Sequence, residues 1–195
     1  MSSFVGHGLA AFTIGKSLQS GTGSKFNLFW QIWLIISALA PDIDYLVLRL
    51  NAPHNGGIRI THSIAFSLIL PFLGVICLFL FDRKNIIRGG LQACLAGVSH
   101  LFMDALVGSR QGDPWLYPFL PDTYRLMVGV LPSSATISLR NFYFYRNLII
   151  ECGILIPVSC FILNFTGKIK LKKLTIIGLM IVFIIFLIWS INLSR

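Results

Sequence analysis

An uncharged run of twenty residues, 174–193, follows a lysine-rich stretch near the C-terminus and is long enough to cross about 30 Å of hydrocarbon. Lipid offers no partner to backbone N–H and C=O groups, so a lone run of this length is confined to helix. Residues 63–81 form a second clear run, with Pro71 as a tolerated kink. Segments 26–40, 86–107 and 147–165 are apolar with polar interruptions. The opening segment, 4–18, is shorter and rich in small residues, and it spans, re-enters or lies along the bundle. Its Gly6/Ala10 and Gly8/Ala11 pairs permit close helix packing.

Composition agrees, with 55% hydrophobic residues, 12% charged residues and sixteen phenylalanines, where a soluble domain carries about 25% charged residues. The expected fold is an all-α integral membrane protein, a bundle of five to six transmembrane helices in one domain over 1–195, without a separate soluble module. The N-terminus lacks the positive region of a secretory signal and carries His7 where a signal is apolar, so it reads as part of the mature protein. Cys77, Cys94, Cys152 and Cys160 lie in apolar stretches without Cys-x-x-Cys spacing and read as packing residues. Region 108–146 is polar and contains Trp115, Tyr117, Phe119 and Tyr124, which predicts a partly interfacial loop.

Against this apolar background, the four histidines fall in or beside short polar clusters: His7, Pro41-Asp42-Ile43-Asp44, His54, Thr61-His62-Ser63 and His100-Leu-Phe-Met-Asp104. An unpaired ionisable group in a spanning segment costs roughly 2.5–3.5 kcal/mol on insertion scales, so such groups bind something or each other. Six crossings put His7, Asp42, Asp44, His62, His100, Asp104 and Glu151 at one membrane face. The opposite face receives nine basic residues, including all seven lysines, against seven arginines on the motif face. Short basic loops stay in the cytoplasm, so the clustered face is expected to be extracytoplasmic, in the cell (inner or plasma) membrane.

Residues four apart share a helical face, so His100 and Asp104 can bind one ion or orient each other. A His–Asp hydrogen bond within a bundle would have the same spacing. Pro41 ends the helical ladder, and two carboxylates two residues apart repel one another without a cation; solvated acids after a helix end are the alternative. Thr61-His62-Ser63 suits either a ligand or a helix cap with an interfacial imidazole.

These residues resemble the YdjM-like family of predicted membrane-bound metal-dependent hydrolases. The resemblance runs over roughly residues 5–151 and rests on His7, Pro41-Asp42-Ile43-Asp44, Thr61-His62-Ser63, the Gly97-Val-Ser-His100-Leu-Phe-Met-Asp104 stretch, Asp113-Pro-Trp-Leu-Tyr-Pro-Phe and Glu151. That family has His-Arg-Gly-x-Thr-His-Ser, with its histidines five apart, whereas His54 stands eight before His62 and Gly57 takes the aligned position. His54 can still reach the site through the Gly56-Gly57 turn. The resemblance implies metal-dependent hydrolysis and leaves the substrate unnamed.

His7, Asp42, Asp44, His62, His100 and Asp104 offer six nitrogen or oxygen donors without thiolate, more than one open tetrahedral zinc uses. Two divalent ions sharing a carboxylate, zinc or manganese by ligand type, would use them all and acidify a bound water. Glu151 is then a further ligand or the general base, with an ion pair to Arg146 as its structural alternative, and Asp44 a catalytic carboxylate. Arginine forks suit phosphate oxygens, so Arg59, Arg125 and Arg140 are expected to bind substrate, a phosphoester lipid or similar amphiphile. Anchoring to lipid head groups or to Asp113 and Asp122 is the plainer role for these arginines. A non-catalytic metal-stabilised scaffold is the alternative for the protein. A transporter is disfavoured, since it needs polar residues in both membrane halves and the inner halves read as Leu, Ile and Phe. Nucleic-acid binding is disfavoured despite a net charge of +9, because the basic residues divide between two faces; Lys168–Lys173 suits anionic lipid.

Overall fold

The computed structural model describes residues 3–19, 25–47, 50, 57–107, 112–124, 129–133 and 140–193. In chain order these form α1 (Phe4–Ser17), α2 (Lys25–Leu39), a 3-10 turn (Ala40–Tyr45), a second 3-10 turn (Ile60–His62), α3 (Ile64–Ser67), α4 (Ile69–Phe81), a third 3-10 turn (Arg83–Asn85), α5 (Ile86–Ala105), α6 (Phe142–Phe165) and α7 (Lys173–Ile191). Among the described residues there is no strand beyond one isolated bridge, Asp113 to Tyr124.

Among the described residues, four helical stretches are long and apolar enough to cross a bilayer: Ile64–Phe81, Arg83–Ala105, Phe142–Phe165 and Lys173–Ile191. The first two apolar segments form helices of 14 and 15 residues, about 21 and 22 Å long and so shorter than the hydrocarbon core. The expected number of helices therefore forms, but α1 and α2 are short members packed beside longer ones. Helix α6 begins five residues before the expected 147, because Asn141 caps it, its side chain accepting from the Tyr143 N–H at 3.1 Å. Hydropathy misses that turn, whose Phe142-Tyr143-Phe144-Tyr145-Arg146 sequence mixes aromatic rings with a charge.

Helix α5 lies at the centre, packed against α1, α2 and α4, while α6 packs on α1 and α7. Its buried stripe explains the position. Gly89, Ala93, Ala96 and Gly97 recur at helical spacing, and the same stripe continues into His100 and Asp104. Small side chains let backbones approach closely, which in lipid replaces hydrophobic burial as the source of helix association. Ala11, Leu34, Ala38, Ala93 and Ala96 form one packed cluster, and Met103, Val107, Leu131, Ile150 and Ile154 a second. Large apolar side chains such as Phe72, Ile87, Phe165 and Leu174 instead face outward, as lipid-facing residues do.

The half of the bundle away from the histidines is less purely apolar than expected. Gln31 and Gln92 are buried there. Trp30 Nε1 donates to Gln92 Oε1 at 2.9 Å, Gln92 Nε2 donates to the Gly15 carbonyl at 2.9 Å, and Gln31 Nε2 donates to the Ala11 carbonyl at 3.3 Å. These bonds stitch α1, α2 and α5 together, so the polarity serves packing.

A Cβ at Gly97 would overlap the Ser67 carbonyl oxygen and lie 2.8 Å from Pro71 Cγ. Gly97→Val is expected to destabilise the detergent-solubilised protein by about 1–3 kcal/mol through overpacking. Thermal unfolding checks this; an unchanged midpoint would show that α3 and α4 can yield at this contact.

Candidate metal centre

Each candidate ligand is delivered by the end of a helical element. His7 sits in the first turn of α1, whose cap is the Ser3 side chain accepting from the Gly6 N–H at 3.1 Å. Pro41 stops α2 and turns the chain into the 3-10 segment that carries Asp42 and Asp44. His62 closes the short turn before α3, and the Ser63 side chain caps α3 by accepting from the Phe66 N–H. His100 and Asp104 stand one turn apart at the end of α5.

These ends meet in a closed interior. His7, His62 and His100 are 0% exposed, Asp42 4% and Asp104 2%. His62 Nε2 lies 3.2 Å from His100 Nε2, 3.5 Å from Asp42 Oδ1 and 3.5 Å from Asp104 Oδ2. His100 Nε2 is 3.7 Å from each of the same two carboxylate oxygens, and His7 Nε2 is 3.4 Å from Asp104 Oδ1. Ligands about 2.0–2.2 Å from a tetrahedral zinc stand roughly 3.3–3.6 Å from one another. The His62, His100 and Asp104 donors thus stand close to the spacing that one ion would impose, and two overlapping groups, His7–Asp42–His100 and His62–His100–Asp104, could each hold a metal ion.

The surrounding bonds aim the donors inward. His100 Nδ1 lies 2.7 Å from the Ala38 carbonyl, which can only accept, so Nδ1 carries the proton and Nε2 presents a lone pair. Thr61 Oγ1 holds His62 Nδ1 at 3.0 Å, leaving Nε2 towards the cluster. His7 stacks on His100 with ring centroids 3.9 Å apart. A network of ordinary hydrogen bonds would satisfy its own members. Here both oxygens of Asp42 and both nitrogens of His7 are buried with no hydrogen-bond partner among the described residues. Such atoms carry a desolvation cost of about 1–3 kcal/mol each unless something else occupies the space. With the imidazoles neutral, as metal ligation requires, the two carboxylates would carry a charge that one divalent cation cancels.

The same field acts on His62. Burial opposes its charge, but the Asp104 and Asp42 carboxylates outweigh that and hold the imidazole above its usual value. Burial also opposes the Arg59 charge, and the Asp44 hydrogen bond and charge keep the guanidinium protonated. Burial pushes Asp113 up to about 6, with the Asp104 charge adding to it.

Four expected site residues, Asp44, Arg59, Glu151 and Arg140, fall outside the two donor groups. Both oxygens of Asp44 are taken by the Arg59 fork, from Nε at 2.8 Å and from Nη2 at 3.0 Å, and Arg59 Nη2 lies 3.8 Å from Asp42 Oδ1. Glu151 accepts the Ser3 N–H at 3.0 and 3.2 Å, which ties α6 to the start of the helix that carries His7. The negative carboxylate there suits the positive end of the α1 dipole. Arg146 donates to the Asn147 side chain at 3.0 Å and lies over the Tyr143 ring. Arg140 is exposed, next to the cap of α6. His54 and Arg125 lie outside the described residues. Sequence reasoning missed the Ala38 carbonyl, which has no sequence signal, and the orienting role of Thr61. Asp113, expected as a loop acid within the family-like Asp-Pro-Trp stretch, is buried, and the Trp115 carbonyl two residues on accepts from the Ile64 N–H at 2.9 Å and binds that stretch to α3.

No solved structure matches the chain. It is similar to the inner membrane protein YbcI of Escherichia coli (strain K12), with 27% identity over 130 residues, 64% of this chain and 72% of that protein. The profile of the YdjM inner membrane protein family matches residues 1–193. With four helices able to cross a bilayer and a family match along nearly its whole length, the chain belongs to the YdjM inner membrane protein family.

Proposed function

We propose that this protein is a membrane-bound metal-dependent hydrolase acting on a phosphoester-containing lipid or related amphiphile. The observation that carries the reading is the buried meeting of His7, Asp42, His62, His100 and Asp104, with Asp42 and His7 lacking hydrogen-bond partners among the described residues. With Asp44 engaged by Arg59, five donors remain, and a single ion reached by both overlapping groups uses them more fully than two ions would. Mixed imidazole and carboxylate donors without thiolate suit zinc or manganese. A divalent ion held there supplies Lewis acidity, polarising a phosphoryl oxygen and acidifying bound water.

The chain's own groups would do the rest. Arg59 sits beside Asp42 and is partly exposed, so its guanidinium is the cation placed to receive a phosphate oxygen. Asp44 holds that fork in one orientation. Glu151 positions His7 through Ser3, which replaces the general base expected of it. The ligand end faces away from Lys168, Lys170 and Lys172 between α6 and α7 and from Lys173 at the start of α7, which supports an extracytoplasmic site under the positive-inside bias.

The complete burial of the three histidines favours a second reading, a metal-stabilised scaffold without turnover. Phosphate release separates the two.

Purified protein is expected to carry stoichiometric divalent metal, and His100→Ala and Asp42→Ala to lose it by more than the roughly 10–100-fold that an outer partner costs. Metal analysis reads this, and full retention in both variants would remove the centre. Asp44→Ala is expected to keep its metal. On lipid phosphoesters, Arg59→Lys should lower kcat/KM by about tenfold or more at unchanged metal content, since an ammonium cannot reproduce the fork. Metal without phosphate release from any phosphoester would leave the scaffold.

A further inference from the structure

An apolar groove of about 360 Å³ opens beside the cluster, within the range of small-molecule sites. Phe4, Ile36, Leu39 and Leu70 line it, with Asp42 and Tyr45 as its polar members. It is formed where the start of α1, the last turns of α2, the following 3-10 turn and the first turn of α4 come together. Asp42 is therefore shared: it lines the groove and offers Oδ1 to the cluster, 3.5 Å from His62 Nε2. Its two oxygens are buried without hydrogen-bond partners among the described residues.

We propose that this groove seats a hydrocarbon tail of the amphiphilic substrate, entering sideways from the bilayer, with the head group turned towards Asp42 and Arg59. The head-group assignment rests on the hydrolase reading above; the tail assignment rests on the groove. The surface around it is apolar and outward-facing, with Ile36 at 47% and Leu46 at 84% exposed, so the bilayer is its solvent. A partner helix is about 10–12 Å across with its side chains and does not fit a space of this size, whereas an acyl chain does. Most of its lining is hydrocarbon, Asp42 and the Tyr45 phenol are its polar members, and the Arg59 guanidinium lies 5.3 Å over the Tyr45 ring.

The test uses the full chain in lipid nanodiscs and a phosphatidic acid with a diazirine in one acyl chain. Photolabelling is expected to concentrate on residues 36–46 and on Leu70, relative to Phe165 and Leu174 on the outer surface. Filling the groove with Ile36→Trp and Leu70→Trp should cut that labelling about tenfold, the order of discrimination an apolar pocket gives, with metal content unchanged. The same double variant should hydrolyse a long-chain phosphoester about tenfold more slowly and a tail-less phenyl phosphate at the parent rate. Labelling spread evenly over groove and outer surface, labelling insensitive to filling, or cross-links between protein copies in its place would overturn the groove as a tail site. Concentrated labelling without hydrolysis of any phosphoester would uphold the tail site and sink the hydrolase reading.

Discussion

Burying two carboxylates among three imidazoles inside a membrane bundle is the constraint on which the rest of this structure turns. Asp42 and Asp104 are withdrawn from water almost entirely, and His7, His62 and His100 completely. Desolvated charges of one sign repel strongly in a medium of low polarity, and water is not there to screen them. A divalent cation among the donors would cancel the charge and satisfy atoms that no described residue hydrogen-bonds. The adjoining Asp44–Arg59 pair solves the same problem in a different way, with a bidentate fork that makes it neutral as a unit.

Much of the fold serves to hold these ends together. The small-residue stripe of α5 lets α1, α2 and α4 approach, and it leads directly into His100 and Asp104. The Ala38 carbonyl at the end of α2 fixes the His100 tautomer, and Glu151 of α6 anchors the cap of α1. Packing and ligand orientation are thus the same set of contacts. A change in helix approach is transmitted to the donor geometry without touching a ligand.

The helices and their order were legible because hydropathy reports the solvent, and lipid imposes helix on any long apolar run. The meeting of His7, Asp42, His62, His100 and Asp104 was legible too, since counting crossings places residues at an end of the bundle without knowing any packing. Less legible was the length of the first two helices. Segment 26–40 reads as a span and 4–18 as spanning, re-entrant or lying along the bundle, and they fold into helices of 15 and 14 residues, shorter than the hydrocarbon core and packed against neighbours. Nor was the polarity of the far half legible, because a buried glutamine in an apolar segment gains its meaning only from the carbonyls it reaches.

What the amino-acid sequence determined by itself was the class of fold, the set of residues able to carry chemistry and the end of the bundle they occupy. These follow from periodicity, cost and order along the chain. Only the tertiary structure decided which of those residues share a cavity. Asp44 and Asp42 stand two residues apart with the same chemistry, yet one is taken by Arg59 and the other faces the imidazoles. Glu151, expected as a further ligand or the general base, accepts the Ser3 N–H at the start of α1. The physical reason is that hydrogen bonds and ion pairs act over about 3 Å, and at that range the direction of a side chain counts for more than its identity.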